Sequence, residues 1–150
     1  MRSVSEMNGK EAFLTSKNKE WETPNPLFDS LNEEFHFTMD VCASSENAKC
    51  ARYFTKEQDA LKQEWTGVCW CNPPFSKGLG KWVKKAYESD ALTVMLIPAR
   101  TDTIWFHEYI LNKNGVEVRF IKGRIKFVGA EHKAPFPCMV VIFNRGGSNA

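Results

Sequence analysis

The residues best suited to chemistry form one short run, Asn72-Pro73-Pro74-Phe75, directly after the apolar segment at 67–71. The side-chain amide of Asn72 offers an acceptor oxygen and two donor hydrogens. The two prolines stiffen the chain and lack backbone N–H groups, so their carbonyls are available to a ligand. Phe75 adds a flat apolar surface, so the run predicts a pocket for a planar amine such as a nucleobase. A base can enter such a pocket only if it is flipped out of a duplex or is unpaired.

Such a pocket needs a strand that ends at Asn72, and the surrounding sequence predicts one within a sheet. Apolar or alternating segments predict strands at 34–41, 51–55, 67–72, 92–98, 115–121, 124–128 and 137–143. Helical spacing predicts helices in NPLFDSLNEEF, with Thr23 as a candidate cap, and in KEQDALKQEW, GLGKWVKKAYES and TDTIWFHEYILNK. This alternation predicts an α/β fold whose central sheet is mostly parallel, with an antiparallel edge.

Open sheets of this kind bind ligands beyond the carboxyl ends of their strands. The residues expected at those ends are Asp40, Thr55, Asn72 and Pro98. Asp40 precedes Val41-Cys42-Ala43-Ser44, whose small side chains let a ligand lie close to the backbone. The chain contains no GxGxxG run, so a dinucleotide site of the usual kind is only weakly supported.

Length and composition limit the organisation of the chain. With 150 residues, 43% of them hydrophobic and 25% charged, it has the size and composition of one globular domain. We expect a flexible arm at 1–20, the folded domain at 21–145 and a flexible tail at 146–150. Neither a membrane-spanning apolar run nor a signal-peptide core is visible, which predicts a cytoplasmic protein without membrane contact.

Net charge and cysteine content give limited information about the partners and metal sites of the protein. A net charge of +2 suits a polyanionic partner provided that the basic residues gather on one face. The five cysteines form no CxxC pair and the three histidines share no metal-ligand spacing, so we expect reduced core thiols and no metal.

Asn72-Pro73-Pro74-Phe75 resembles the (D/N)PP(Y/F) motif of S-adenosylmethionine-dependent methyltransferases that act on amino nitrogens. Over about residues 21–143, an ordered series of motifs is similar to the small DNA adenine methyltransferases (Dam type) of bacteriophages and prophages. Besides the NPPF run, these motifs are Trp21-x-Thr23-Pro24, Asp40-Val41-Cys42-Ala43, Asp59-Ala60-Leu61 with Trp65, Pro98-Ala99-Arg100-Thr101-Asp102-Thr103-x-Trp105-Phe106, Gly123-Arg124-x-x-Phe127 and Ala134-Pro135-Phe136-Pro137.

The resemblance implies a class I methyltransferase fold, which is Rossmann-like, and direct methyl transfer from S-adenosylmethionine to the N6 amino group of a flipped adenine in double-stranded DNA. It implies a catalytic run of Asn72, Pro73, Pro74 and Phe75. The implied cofactor contacts are Trp21, Thr23, Pro24, Asp40, Cys42, Ala43, Asp59 and Asn72. The implied substrate contacts are Phe75, Lys77, Arg100, Lys122 and Arg124. The resemblance also implies a phage or prophage gene whose product lies in the bacterial cytoplasm. The oligomeric state stays open.

Alternatives remain at this stage. Related NPPY motifs also serve RNA and protein-glutamine methyltransferases, and a catalytically silent DNA-binding domain would keep the same fold. Asp40 is also a candidate cap for a helix near Ser44, and Thr101 or Asp102 for the helix after Pro98. The basic residues of 122–137 suit phosphate contacts or a solvated surface equally well.

Overall fold

The computed structural model describes residues 21–75 and 78–146. The predicted arm at 1–20, the predicted tail beyond residue 146 and the predicted substrate contact Lys77 lie outside the described residues.

The described residues form three α-helices and five strands. The helices are α1 (Asn25–Phe35), α2 (Leu79–Glu88) and α3 (Ile104–Tyr109). The strands are β1 (Met39–Asp40), β2 (Val68–Cys71), β3 (Leu92–Pro98), β4 (Val116–Phe120) and β5 (Cys138–Phe143). Two 3-10 turns, Lys56–Gln58 and Ala60–Lys62, lie between β1 and β2.

The strands form one sheet in the order β1-β2-β3-β5-β4. β1, β2 and β3 pair in parallel, whereas β5 is antiparallel to both of its neighbours. Six of the seven residues of β3 are buried, as expected of a central strand covered on both faces. The predicted α/β fold is confirmed. The sheet was predicted to be mostly parallel with an antiparallel edge, but its parallel pairing is confined to one side, β1–β3. The reversed strand is not the edge itself, because β4 pairs outside it.

Alternation along the strands divides the core into two layers. Cys69, Cys71 and Met95 face the layer that contains Val83 of α2 and Phe106 of α3. The opposite layer holds Trp70, Val94 and Leu96 with Phe28 and Leu31 of α1, and it extends to Ile125 and Phe127 beyond β4. Helices therefore cover both faces, which leaves the carboxyl edge of the parallel strands open to a ligand.

The five cysteines are free, which agrees with the predicted reduced thiols. Cys69, Cys71 and Cys138 are buried. Burial raises the pKa of Cys42 to about 12, so this thiol is protonated at neutral pH.

Some predicted strands are wrong in extent. The segment at 34–41 contains a strand only at Met39–Asp40, because α1 continues to Phe35 and His36 then adopts a left-handed conformation with φ 56°. The segments at 51–55 and 124–128 contribute only isolated bridges, Asp40 with Tyr53 and Glu22 with Val128. The alternation of apolar residues at 124–128 predicted a strand, but Ile125 and Phe127 pack onto the core without pairing in the sheet.

Predicted helix features also need correction. KEQDALKQEW forms two 3-10 turns rather than a helix, because Asp59 between them takes φ 53° and interrupts the helical hydrogen bonds. Thr23 does not cap α1: Pro24 occupies the cap position and no side chain caps the helix. α3 is capped by Thr103, whose hydroxyl accepts from the Phe106 N–H at 3.2 Å, and not by Thr101 or Asp102.

Across the two described ranges, no helix is long and apolar enough to cross a bilayer. Within the same ranges, no group of three or more His, Cys, Asp or Glu side chains is arranged to hold a metal ion.

Candidate active site

A cavity of about 720 Å³ opens at the carboxyl ends of β1 and β2. This volume suits a cofactor-sized ligand. Nine of the predicted site residues line it: Trp21, Thr23, Asp40, Cys42, Ala43, Asp59, Asn72, Pro73 and Pro74. Pro24, Phe75, Arg100, Lys122 and Arg124 are not part of the lining. The parallel pairing of β1 with β2 therefore brings together two halves of the site that lie far apart in the sequence.

Asp40 organises the loop that follows β1, which we call the cofactor loop (residues 41–49). Its side chain is only 2% exposed. One carboxylate oxygen accepts from the Cys42 N–H at 3.2 Å and the other from the Lys49 N–H at 2.9 Å. These bonds tie the start of the loop to its end. No helix begins near Ser44 in the described chain, so the alternative role of Asp40 as a helix cap is wrong.

Burial raises the pKa of Asp40 to about 6. The two backbone hydrogen bonds and the nearby Lys49 ammonium oppose that shift, because they favour the charged form. At neutral pH the carboxylate is therefore mostly ionised and accepts both bonds.

A second segment, which we call the strap (residues 21–24), connects the cofactor loop to the segment after β4. The Glu22 carbonyl accepts from the Val128 N–H at 3.0 Å. The Lys49 ammonium lies 3.3 Å from the Glu22 carboxylate and donates to the Asn25 side-chain oxygen at 3.0 Å. The strap is therefore attached both to the cofactor loop and to the segment after β4.

Asn72 lies beneath the strap. Its side-chain nitrogen donates to the Trp21 carbonyl at 2.5 Å, while its side-chain oxygen is buried and accepts from no group in the described chain. The Thr23 hydroxyl, which belongs to another cavity residue, is likewise buried without a partner among the described residues. A buried polar atom without a partner costs about 1–3 kcal/mol, so two of them beside one cavity point to a ligand that completes them.

Phe75 lies outside the cavity. It is 7% exposed and packs in an aromatic cluster with Trp21, Phe127 and Phe136, with ring centroids 5.8–6.1 Å from its own. The Phe75 ring is therefore covered by aromatic side chains of the protein.

The three described basic candidates take different positions. Arg100 donates from Nη1 to the Phe75 carbonyl at 3.3 Å, and its guanidinium lies 5.9 Å from the Phe136 ring. It therefore holds the NPPF run from the end of β3. Lys122 and Arg124 are exposed on the segment that joins β4 to β5. Burial raises the pKa of the Cys138 thiol to about 11, and the charges of Arg100 and Arg124 oppose that shift.

Comparison with known proteins adds to this geometry. Residues 11–145 match the family described as DNA N-6-adenine-methyltransferase (Dam). The chain belongs to this family. The family resemblance drawn from the sequence motifs is thus confirmed, because the match covers most of the chain.

Two relatives of this Dam-family chain show how far the similarity extends. A DNA N-6-adenine-methyltransferase of Escherichia phage T1 is 32% identical over 108 residues, which cover 68% of the chain and 44% of the phage protein. The putative methyltransferase YfdM of Escherichia coli (strain K12) is 32% identical over 83 residues, which cover 49% of the chain and 91% of that protein. The Dam-family chain therefore spans less than half the length of the phage relative.

Several cavity residues of the Dam-family chain were not predicted from the sequence as site residues. They include Glu22, Ser44, Ser45, Glu46, Asn47, Lys49, Thr55, Lys56, Glu57 and Trp82. Thr55 was expected at a strand end. The polar residues of the cofactor loop carry no spacing that marks them; only the turn between Ser44 and Asn47, closed by two side-chain bonds of 2.7 and 3.3 Å, brings them to the cavity.

Proposed function

We propose that this chain is an S-adenosylmethionine-dependent DNA adenine methyltransferase, which transfers a methyl group to the N6 nitrogen of an adenine flipped out of double-stranded DNA. The observation that carries the proposal is the buried Asn72 oxygen without a donor in the described chain, located at the end of β2 on the wall of a ligand-sized cavity. An amino group is the chemical partner that this acceptor lacks. Membership of the Dam family supports adenine as the bearer of that amino group.

The cavity suits S-adenosylmethionine by its donors and acceptors. The buried Thr23 hydroxyl and the backbone of the cofactor loop offer hydrogen bonds to the polar ends of such a ligand. Carboxylates of Glu22, Glu57 and Asp59 also line the cavity and suit a ligand with positive charge and hydroxyl groups. When bound, the cofactor supplies a methyl group on a sulfonium, which needs neither a metal nor a covalent enzyme intermediate.

The protein's contribution to the reaction is to hold the amine. The adenine amino nitrogen is a weak nucleophile because its lone pair is delocalised into the ring. Acceptance of its hydrogens by the Asn72 oxygen and the Pro73 carbonyl favours the pyramidal geometry of the transition state. Since these bonds strengthen as the methyl group transfers, they lower the barrier. Fixed alignment of the nitrogen contributes the remainder.

We also propose that residues 21–145 form the methyltransferase domain and that its fold is of class I. Support comes from the parallel strands β1–β3, from the reversed β5 between β3 and β4, and from the cavity at the carboxyl edge. A base reaches Phe75 only if the aromatic cluster opens, so the proposed stacking role of Phe75 implies a movement of the strap or of the NPPF loop.

Exposed basic side chains provide the proposed DNA surface. Lys122, Arg124, Lys126 and Lys133 are exposed on the segment that contacts the strap through Val128. Phosphate contacts from these groups would hold the duplex beside the cavity, and Arg100 and Lys77 are the other proposed substrate contacts.

The test is methyl transfer itself. The purified protein is incubated with S-adenosylmethionine and unmethylated duplex DNA, and digested nucleosides are examined by mass spectrometry. We expect N6-methyladenine from the wild-type protein, and none from Asn72→Ala although this variant retains cofactor binding. Cofactor binding without DNA methylation would direct the search to RNA or protein glutamine; binding of DNA alone would indicate a silent domain. Full activity in Asn72→Ala would refute the role of Asn72.

A further inference from the structure

The two ends of the Asn72 side-chain amide have different surroundings. The nitrogen lies 2.5 Å from the Trp21 carbonyl oxygen, and the oxygen has no donor in the described chain. A carbonyl oxygen only accepts hydrogen bonds, so the NH2 end must face it. The orientation of the amide is therefore dictated by chemistry, and the oxygen is left for an incoming amine.

The Trp21 carbonyl is held from several sides. The Trp21 ring packs edge-on against Phe127 at 5.1 Å, and it lies 5.6 Å from Phe136. The next residue, Glu22, bonds to Val128 through its backbone and to Lys49 through its side chain. The carbonyl cannot turn away from residue 72 without breaking these contacts.

We propose that the Trp21 carbonyl is a positioning group that selects asparagine over aspartate at residue 72. The side-chain atom that faces the Trp21 carbonyl, which we call the inner position, must be a hydrogen-bond donor. The other side-chain atom, which we call the outer position, is the one without a partner in the described chain. The inference rests on the proposed function, since it assigns the outer position to the target amine. It goes beyond the family motif, which accepts either residue, because it makes this chain dependent on one of them.

The physical reason is that an aspartate carboxylate has no hydrogen to donate. In Asn72→Asp, one carboxylate oxygen would face the Trp21 carbonyl oxygen at short range, and both carry partial or full negative charge. Only the protonated acid restores the bond, because its O–H donates to the carbonyl while its other oxygen still accepts from an amine. The Asn72→Asp variant should therefore transfer methyl groups only while the introduced carboxyl is protonated.

The first test is the pH profile of methyl transfer. Initial rates of wild type and Asn72→Asp are measured on unmethylated duplex DNA with methyl-labelled S-adenosylmethionine between pH 5.5 and 8.5. We expect the ratio of variant to wild-type kcat/KM to fall about tenfold per pH unit above the pKa of the introduced carboxyl, because only the protonated fraction is competent. A ratio that stays constant over this range would overturn the proposal.

A matched control separates this effect from added negative charge. Asn32 of α1 uses its side chain as an acceptor, from the Phe37 N–H at 2.9 Å. An aspartate can make the same bond, so Asn32→Asp introduces the same charge without a missing donor. We expect its activity relative to wild type to be independent of pH. A decline equal to that of Asn72→Asp would show that charge alone is responsible, and would also overturn the proposal.

Thermal unfolding gives a readout that does not depend on methylation. In Asn72→Asp, the strap carbonyl should raise the pKa of the introduced carboxyl in the folded state above its unfolded value. A carboxyl with a raised folded pKa loses stability as pH rises from the unfolded pKa to the folded one. The Tm of Asn72→Asp should therefore fall further below that of wild type at pH 8 than at pH 5. A Tm difference that does not change with pH would contradict the proposal even if the wild type methylates no DNA; wild-type inactivity would instead count against the proposed function.

Discussion

At the scale of single residues, Asp40 shows how one buried side chain can shape a binding loop. Sequence reasoning expected Asp40 to belong to the cofactor site, and the structure places it on the cavity wall. Both of its oxygens, however, accept from backbone N–H groups at the two ends of the cofactor loop. We infer that Asp40 shapes the cavity chiefly by fixing the backbone of the cofactor loop.

The raised pKa of Asp40 leads to a prediction about stability. Because burial raises this pKa to about 6, the folded state binds the Asp40 proton more tightly than the unfolded state does. Stability contributed by that proton is present at low pH and is lost as pH rises from about 4 to above 6. On raising the pH from 4 to 8, the free energy of unfolding of wild type should fall relative to Asp40→Asn by about 2 kcal/mol, measured by urea titration. A difference between the two proteins that does not vary with pH would contradict the burial of an ionising Asp40.

At the scale of elements, the site depends on two irregular segments and not on a helix or long strand. β1 has only two residues, and the cofactor loop and the strap contain no regular element beyond isolated bridges. Backbone bonds join these two segments to other parts of the chain, such as that from the Val128 N–H to the Glu22 carbonyl, and side-chain bonds join them to each other. Lys49 is the connection between them, since its backbone bonds to Asp40 and its ammonium to Glu22.

Removal of the Lys49 ammonium should therefore loosen the strap. Its side chain is only 10% exposed and lies against the Phe28 ring, so Lys49→Met keeps the apolar packing while it abolishes the ion pair. We expect the Kd for S-adenosylmethionine, measured by isothermal titration calorimetry, to rise about tenfold, which corresponds to roughly 1.4 kcal/mol. Lys84→Met, at an exposed residue of α2, is the matched control and should bind as wild type does. Equal affinities for all three proteins would show that the strap needs no ammonium.

At the scale of the whole molecule, the strand directions bring the cavity and the carboxyl end of β4 to the same edge of the sheet, because β5 is antiparallel to both β3 and β4. The cavity and the NPPF run lie at the carboxyl ends of the parallel strands, and the chain that joins β4 to β5 places Lys122 and Arg124 on the surface. The net charge of +2 is too small to attract DNA by itself, so the proposed binding of a duplex depends on where these residues lie.

Salt dependence tests this distribution. DNA binding is measured by fluorescence anisotropy at several salt concentrations, and log K is plotted against log salt. Lys122→Gln and Arg124→Gln should each weaken binding and reduce the slope by about 1, because each phosphate contact releases about one counterion. Lys113→Gln, which removes a charge just before β4 at its amino end, should leave the slope unchanged. If all three variants bind with the wild-type slope, the DNA surface lies elsewhere.

The amino-acid sequence by itself determined the features that depend on neighbouring residues. The run of apolar residues identified β3, the rigid NPPF corner marked the end of β2, and the ordered motifs identified the family. Local patterns were sufficient here because burial on both faces, proline stiffness and helical spacing are properties of short segments.

Only the tertiary structure decided the contacts between distant segments. The bond from Asn72 to the Trp21 carbonyl joins residues 51 positions apart, and no local pattern predicts it. The same holds for β5, which enters between β3 and β4, and for the 51–55 and 124–128 segments, whose strand-like patterns end as isolated bridges. Whether a segment pairs in the sheet depends on which other strands already lie beside each sheet edge. Whether an acceptor has a partner depends on the positions of all the other segments around it. These are properties of the whole fold, and at Asn72 they determine which atom of the side chain is left without a partner in the described chain.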